Sequence, residues 1–131
     1  MATTEVELVT PTRILYSGEA EAVFCRAEGG EIAFLANHMP YLGVLEPSVV
    51  RIVQPSGSED RLAVLGGFVE VLHNKVIMLA DVAEPVDEID VERARRAKAA
   101  AENQLSGSAD DEAANRALRR ATVRLEVAGA L

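Results

Sequence analysis

Val76-Ile-Met-Leu-Ala-Asp-Val-Ala-Glu-Pro85-Val-Asp-Glu-Ile-Asp90-Val-Glu-Arg-Ala-Arg-Arg-Ala-Lys-Ala-Ala100 holds two different patterns end to end. Val76 to Leu79 are β-branched or long apolar side chains, which suit a pleated, half-buried surface. Val91 to Ala100 are mostly alanine, arginine, lysine and glutamate, which lose little freedom in a helix. Pro85 cannot continue a helix, and Asp90 has the side chain of an N-cap. The change of pattern between Pro85 and Asp90 predicts strands before it and helices after it.

The rest of the chain agrees on both sides. All five prolines (Pro11, Pro40, Pro47, Pro55 and Pro85) and seven of the nine glycines precede residue 86, while alanine supplies 12 of the 41 residues from Val91 onward. Charge divides at the same place, about −7 over residues 1–85 and −1 over 86–131. The expected organisation is an acidic β domain over 1–86 and a charge-balanced helical domain over 87–131.

Working back from Val76, short strands alternate with turn chemistry. Phe68 to Leu72 and Val76 to Ala80 flank a turn at His73-Asn74-Lys75. Gly66-Gly67 interrupts apolar sequence rather than a loop, which points to a bulge or a close backbone approach. Arg61 to Leu65 and Val49 to Val53 flank a hairpin loop at Pro55 to Asp60. Asn37-His38-Met39-Pro40 is a loop, because the residue before proline is pushed out of the helical region. Gly29-Gly30, Ser17-Gly18 and Pro11 mark further turns, and Val6 and Leu8 alternate with Glu5 and Glu7. Many short strands at this spacing predict a sandwich or flattened barrel.

Working forward, Val91 to Leu105 places Ala94, Ala97, Ala101 and Leu105 at helical spacing, and Ser106-Gly107 stops it. Ser108 followed by Asp111 has the capping-box pattern. Ala114, Ala117, Leu118, Ala121, Leu125 and Ala128 then mark one face of a second helix. Glu92 with Arg96, and Glu112 with Arg116, stand at the favourable i,i+4 spacing. The seam between the helices is mostly alanine, so the hairpin is expected to be held weakly.

Composition excludes several classes of function. Hydrophobic residues make up 49% and charged residues 26%, which is not a disordered chain. One cysteine and two histidines leave no disulfide framework and little for a metal site. No apolar run approaches the ~20 residues of a membrane span. The N-terminus lacks a basic region followed by an apolar stretch, so an intracellular soluble protein is expected. A net charge of −8 argues against sequence-independent binding of nucleic acid.

The search for chemistry is mostly negative. There is no phosphate-cradling Lys-Ser/Thr loop, no His-Glu-x-x-His and no Gly-x-Ser-x-Gly, so neither catalytic residues nor metal ligands are expected. His38 reads as a loop or interface residue, since no nucleophile neighbours it. Cys25, in an apolar strand, reads as an inert core thiol. Met39 is either core or an adaptable interface contact. Arg116, Arg119, Arg120 and Arg124 form either a solvated face or a surface for an acidic partner or a phosphate.

Together the ordered blocks Val9-Thr-Pro11, Leu15-Tyr-Ser-Gly-Glu19, Gly30-Glu-Ile-Ala-Phe-Leu-Ala-Asn-His-Met-Pro40, Pro47-Ser-Val-Val-Arg-Ile52, Gly66-Gly-Phe-Val-Glu-Val71, Val76 to Glu84 and Ile89-Asp-Val-Glu-Arg-Ala94 closely resemble the epsilon subunit of the F-type ATP synthase. The resemblance implies a flattened antiparallel β-sandwich of about ten short strands and a C-terminal two-helix antiparallel hairpin. It implies a non-catalytic rotor subunit, peripheral on the cytoplasmic face of the plasma membrane without inserting into it. Its partners would be the gamma subunit, the c-ring and the alpha/beta catalytic head. The hairpin would fold against the sandwich or extend into the head and block ATP hydrolysis.

Carried over residue by residue, the resemblance puts Glu31, His38 and Met39 on the surface facing gamma and the ring. The basic residues Arg116, Arg119, Arg120 and Arg124 would belong to the inhibitory helix. Some family members bind ATP at the folded hairpin, and the matching positions here are Glu84, Ile89, Asp90, Arg93, Arg120 and Arg124. About two helical turns after Arg93, where those members carry another basic residue, this chain has Ala100. One phosphate contact is thereby lost, so no cofactor is required and ATP is expected only as a weak regulatory ligand. The alternative function is a stand-alone ATP-sensing module with the hairpin as its site.

Overall fold

In strand β1 (Thr4–Val9) buried Val6 and Leu8 alternate with Glu5 and Glu7, the period-2 pattern of a sheet with one face in the core. The structure, a computed structural model, describes residues 2–131. The strands that follow are β2 (Ile14–Ala20), β3 (Ala22–Ala27), β4 (Gly30–Leu35), β5 (Tyr41–Leu45), β6 (Ser48–Val53), β7 (Glu59–Val64), β8 (Gly67–Leu72), β9 (Lys75–Ala80) and β10 (Ala83–Pro85). A 3₁₀ turn (Val86–Glu88) leads into helix α1 (Val91–Gly107), and α2 (Glu112–Ala128) follows.

The ten strands form one hydrogen-bonded sheet in the order β10-β7-β6-β3-β5-β8-β9-β1-β2, with β4 paired to β3. Folded over as a flattened sandwich, it encloses a core that includes Phe34, Leu8, Ile52 and Met78, all fully buried. Every ladder is antiparallel except β1–β9: β1 lies between β2 and β9, antiparallel to the first and parallel to the second. Gly67 shows why the chain needs Gly66-Gly67 where it does. Its φ is +130°, and a Cβ there would stand 2.1 Å from the Leu79 carbonyl oxygen, so the feature is a close approach of β8 to β9.

The second half of strand β7 is buried on both faces. Leu62 and Val64 point into the sandwich, while Ala63 and Leu65 join Val123 and Val127 of α2 in a second apolar cluster with Val49 and Ile89. This is how the hairpin is held: α2 lies on β6 and β7, and α1 packs on α2. The buried residues of the two helices are mostly alanine away from the sheet, Ala94 and Ala101 on α1 and Ala114 and Ala121 on α2, with Leu125 the larger one.

Four local readings are corrected. Ser17-Gly18 is not a turn but the middle of β2, opposite Glu7 and Val6, and the neighbouring Tyr16 hydroxyl donates to the Glu19 carbonyl at 2.8 Å. Ser108 does not open a capping box. Its backbone N–H caps the end of α1 on the Gln104 carbonyl, and Asp111 is the N-cap of α2, accepting from the Ala114 N–H at 3.0 Å. Carboxylate capping from Asp111 satisfies the orphan donors one turn later than the hydroxyl would. Glu92 bonds Arg95 at 3.0 Å rather than Arg96, whereas Glu112 does approach Arg116, at 3.8 Å. α1 also runs two residues beyond Leu105, to Gly107.

Candidate functional site

Where β10, the 3₁₀ turn and the two helices meet, carboxylates and guanidinium groups converge. Glu84 emerges from β10, opposite Ala63. Its carboxylate takes both arms of the Arg124 fork from α2, Nε to Oε1 at 2.9 Å and Nη2 to Oε2 at 3.2 Å, with both side chains under a third exposed. A half-buried bidentate pair of this kind is worth roughly 1–2 kcal/mol, more than an exposed one. Beside it lies a cavity of about 220 Å³ lined by Glu84, Glu88, Asp90, Arg93 and Arg124 with two α1 alanines, Ala94 and Ala97.

Four of the six residues in the predicted ATP set thus share one cavity. Asp90 spends its side chain as the α1 N-cap, accepting from the Arg93 N–H at 3.1 Å. Ile89 packs in the second apolar cluster, and Arg120 is exposed outside the cavity. Glu88 is also tied to the sandwich. Both its oxygens meet Arg13, at 2.7 and 3.1 Å, and this clasp raises the Arg13 pKa above its ordinary value. Sequence reasoning missed the clasp, because nothing in the chain relates the β1–β2 loop to the connection before α1.

Two features oppose a triphosphate in this arrangement. The cavity is smaller than the ~300–1,000 Å³ of ordinary small-molecule sites. Its lining carries three carboxylates and two guanidinium groups, one of them already held bidentately by Glu84. Ala100 is exposed on α1 and adds no cation. A larger cavity, about 430 Å³, lies between β3, β4, β6 and the end of α2, but its cations Arg26 and Arg51 face Glu46 and Glu59 at 3.8 and 3.4 Å.

The outer face of the β5-β8-β9 sheet is a different kind of site. Val44 stands opposite Phe68, and Phe68 opposite Leu79. All three point outward, 52%, 55% and 53% exposed, and Leu42 extends the face at 69%. An apolar stripe across three strands is more than scattered surface hydrophobicity and marks a contact face.

Family models for the ATP synthase delta/epsilon chain match almost the whole length, the β-sandwich domain over residues 3–86 and the long α-helix domain over 87–129. The chain belongs to the ATP synthase delta/epsilon family. Among relatives named ATP synthase epsilon chain, that of Bacillus pumilus is 44% identical, covering 98% of this chain and 99% of its own. That of Moorella thermoacetica is 40% identical over the full length of both. A chain in the Euglena gracilis mitochondrial ATP synthase OSCP/F1/c-ring assembly shares the fold at a TM-score of 0.74 and 23% identity, covering 99% of this chain and 79% of that one.

Within this delta/epsilon architecture the remaining candidates fall into separate places. Glu31 is exposed at the start of β4, across from Arg26, and borders the 430 Å³ cavity beside α2. His38 and Met39 follow the other end of β4, after roughly 13 Å of strand. His38 sets its ring edge-on to Phe34, centroids 5.0 Å apart, and Met39 is 72% exposed and so not core. The last-helix arginines also divide. Arg124 is held by Glu84 and Arg116 approaches Glu112, while among the described residues Arg119 and Arg120 make no ion pair and face solvent. Among the described residues no helix is long and apolar enough to cross a membrane. Among the described residues no group of three metal-ligating side chains comes together. Cys25 is buried in β3, and burial pushes its thiol up to about 12.

Proposed function

We propose that the chain is a non-catalytic subunit of the central stalk, the rotor, of a proton-translocating F-type ATP synthase on the cytoplasmic face of the plasma membrane. Its sandwich would dock on the gamma subunit and the c-ring, and its hairpin would restrain ATP hydrolysis by the alpha/beta head. The observation that carries the docking half is the exposed stripe Val44, Phe68 and Leu79. An isolated domain gains nothing from it, whereas a permanent partner buries it at ~25 cal/mol per Å². The assemblies in which the structural relatives sit, F1 with its c-ring and a central stalk with its c-ring, supply the partner class. Phe68→Asp and Leu79→Asp should fold, since both side chains are outward, and should fail to incorporate into a reconstituted complex. Normal incorporation of both variants overturns the docking half.

The regulatory half rests on how little holds the hairpin down. One apolar cluster of a few residues and the Glu84–Arg124 pair connect α2 to the sandwich. Extension breaks that pair and releases Arg124 to join Arg119 and Arg120, so the helix carries its full cationic face only when undocked. An acidic surface on the catalytic head is the complementary partner. A second, subordinate reading, a weak nucleotide-sensing site, rests only on Glu84, Asp90, Arg93 and Arg124 lining one cavity. A triphosphate there would have to displace Glu84 from Arg124 and widen the cavity.

A further inference from the structure

Three segments distant in sequence meet at one side chain, Asn74. It occupies the two-residue turn between β8 and β9, where His73 and Asn74 both have positive φ, 49° and 58°. The Asn74 carbonyl accepts from Thr4 Oγ1 at 2.9 Å and from the Glu5 N–H at 3.1 Å. Its Nδ2 donates to the Thr3 carbonyl at 3.0 Å, and its Oδ1 accepts from the Asn37 N–H at 2.8 Å. Asn37 lies in the β4–β5 loop and is itself left-handed, with φ 61°. The next N–H, of His38, bonds back to the Leu35 carbonyl at 3.2 Å.

With both N–H groups bonded and the His38 ring against Phe34, the loop is restrained immediately before Met39, which stands 72% exposed. Three residues further along, Leu42 is exposed on β5, the strand whose Val44 stands opposite Phe68 in the apolar stripe. Asparagine meets two demands at position 74. It accepts the left-handed backbone at low cost, and it offers an acceptor and a donor that reach two different segments. Glycine would meet only the first demand. Aspartate would keep the backbone and the acceptor for Asn37 but lose the donor to Thr3.

We infer that Asn74 is a positioning residue for partner docking: through the Asn37 N–H it holds the Asn37–Pro40 loop in the shape that adds Met39 to the apolar face. The partner is the subunit of gamma type named above, so the inference rests on that docking reading. A loop ordered before binding spares the complex the entropy of ordering it afterwards.

The test compares full-length Asn74→Gly, Asn74→Asp and Met39→Ser with the parent. Two quantities are read: affinity for a purified catalytic head containing gamma but lacking this subunit, and amide exchange at Asn37. Asn74→Gly suits a turn of two positive-φ residues, so its Tm should stay near the parent's. Its Asn37 amide should exchange faster and its affinity should fall about tenfold, the worth of roughly one or two hydrogen bonds. Asn74→Asp should stay within about threefold of the parent and keep Asn37 protected. Parent-like affinity of Asn74→Gly alongside a weakened Met39→Ser overturns the role of Asn74 alone. Equal losses in Asn74→Asp and Asn74→Gly also overturn it, because the Asn37 bond is then not the cause. Parent-like affinity of Met39→Ser removes the loop from the interface and sinks the docking reading of the loop itself. If Asn74→Gly loses Tm, Asn74→Asp decides: protected Asn37 with retained affinity supports the role, and lost affinity ends it.

Discussion

Replacing Val123 by alanine should release the hairpin without touching the sandwich. Val123 is 7% exposed and packs with Val127 on Ala63 and Leu65, the cluster that joins α2 to β7. The substitution removes two methyl groups, about 1.6 kcal/mol at ~0.8 kcal/mol each, and the cavity left behind brings the loss to about 2 kcal/mol. That is a large share of a contact made by four buried residues, two partly buried ones and one ion pair. The helices cannot replace it from their own seam, where Ala94 and Ala101 face α2. Short helices take most of their stability from tertiary packing, so undocking should be followed by fraying of both. Native-state hydrogen exchange on the parent should show 91–128 opening at lower free energy than Val76–Ala80. In Val123→Ala the helical amides should exchange about thirtyfold faster, the factor that ~2 kcal/mol represents, while Val76–Ala80 stays unchanged. An equal acceleration in Val76–Ala80 would mean that helices and sheet open as one unit, and the reasoning fails. Unchanged helical amides would show that the Val123 contact does not hold the hairpin.

Further outcomes follow from other parts of the molecule. Truncation after Glu88 should leave assembly intact and raise ATP hydrolysis by the reconstituted head; an unchanged rate removes the hairpin from inhibition. Calorimetry with ATP should find weak or undetectable binding at micromolar concentration. Ala100→Arg should gain up to one or two decades, the worth of one charge-assisted contact of roughly 1.5–3 kcal/mol, and tight binding by the parent would show that Ala100 does not matter. Cys25 should resist thiol reagents at pH 8. Its folded pKa is raised to about 12 from 9.0, so the unfolded state loses its proton first. That contribution to stability should therefore hold below pH 9 and fall by up to ~1.4 kcal/mol per pH unit above it, a slope that Cys25→Ala should abolish in alkaline denaturation. Gly67→Ala should cost more than ~3 kcal/mol in chemical denaturation, because its Cβ would meet the Leu79 carbonyl oxygen at 2.1 Å; a loss under 1 kcal/mol would show that the β8–β9 approach can relax.

Much of the fold was legible because it is written in local physics. The shift at Pro85 from β-branched residues to alanine is a change of backbone preference, and β10 ends at Pro85 while α1 begins at Val91. Asp90 was read as an N-cap and is one. Ser17-Gly18 was misread because turn composition says nothing about cross-strand pairing with Glu7 and Val6. Ser108 was misread because two capping side chains three residues apart compete, and only the backbone path decides between them. Val123 and Val127 were left off the helical face because a seam search follows one stripe, whereas α2 buries two. The run Leu62-Ala-Val-Leu65 carried the matching signal, four consecutive apolar residues in a strand that must then be covered on both sides.

By itself the sequence determined the strand-then-helix order, the alanine seam and the absence of a recognisable nucleophile motif, since each depends on neighbours along the chain. Only the tertiary structure decided that Arg124 lies against Glu84, that Arg13 clasps Glu88 and that Asn74 binds Asn37. Contacts of this kind join residues up to 75 positions apart. Which carboxylate meets which guanidinium is set by sheet register and by where α2 lands on β7, and no pattern local to either partner encodes that distance.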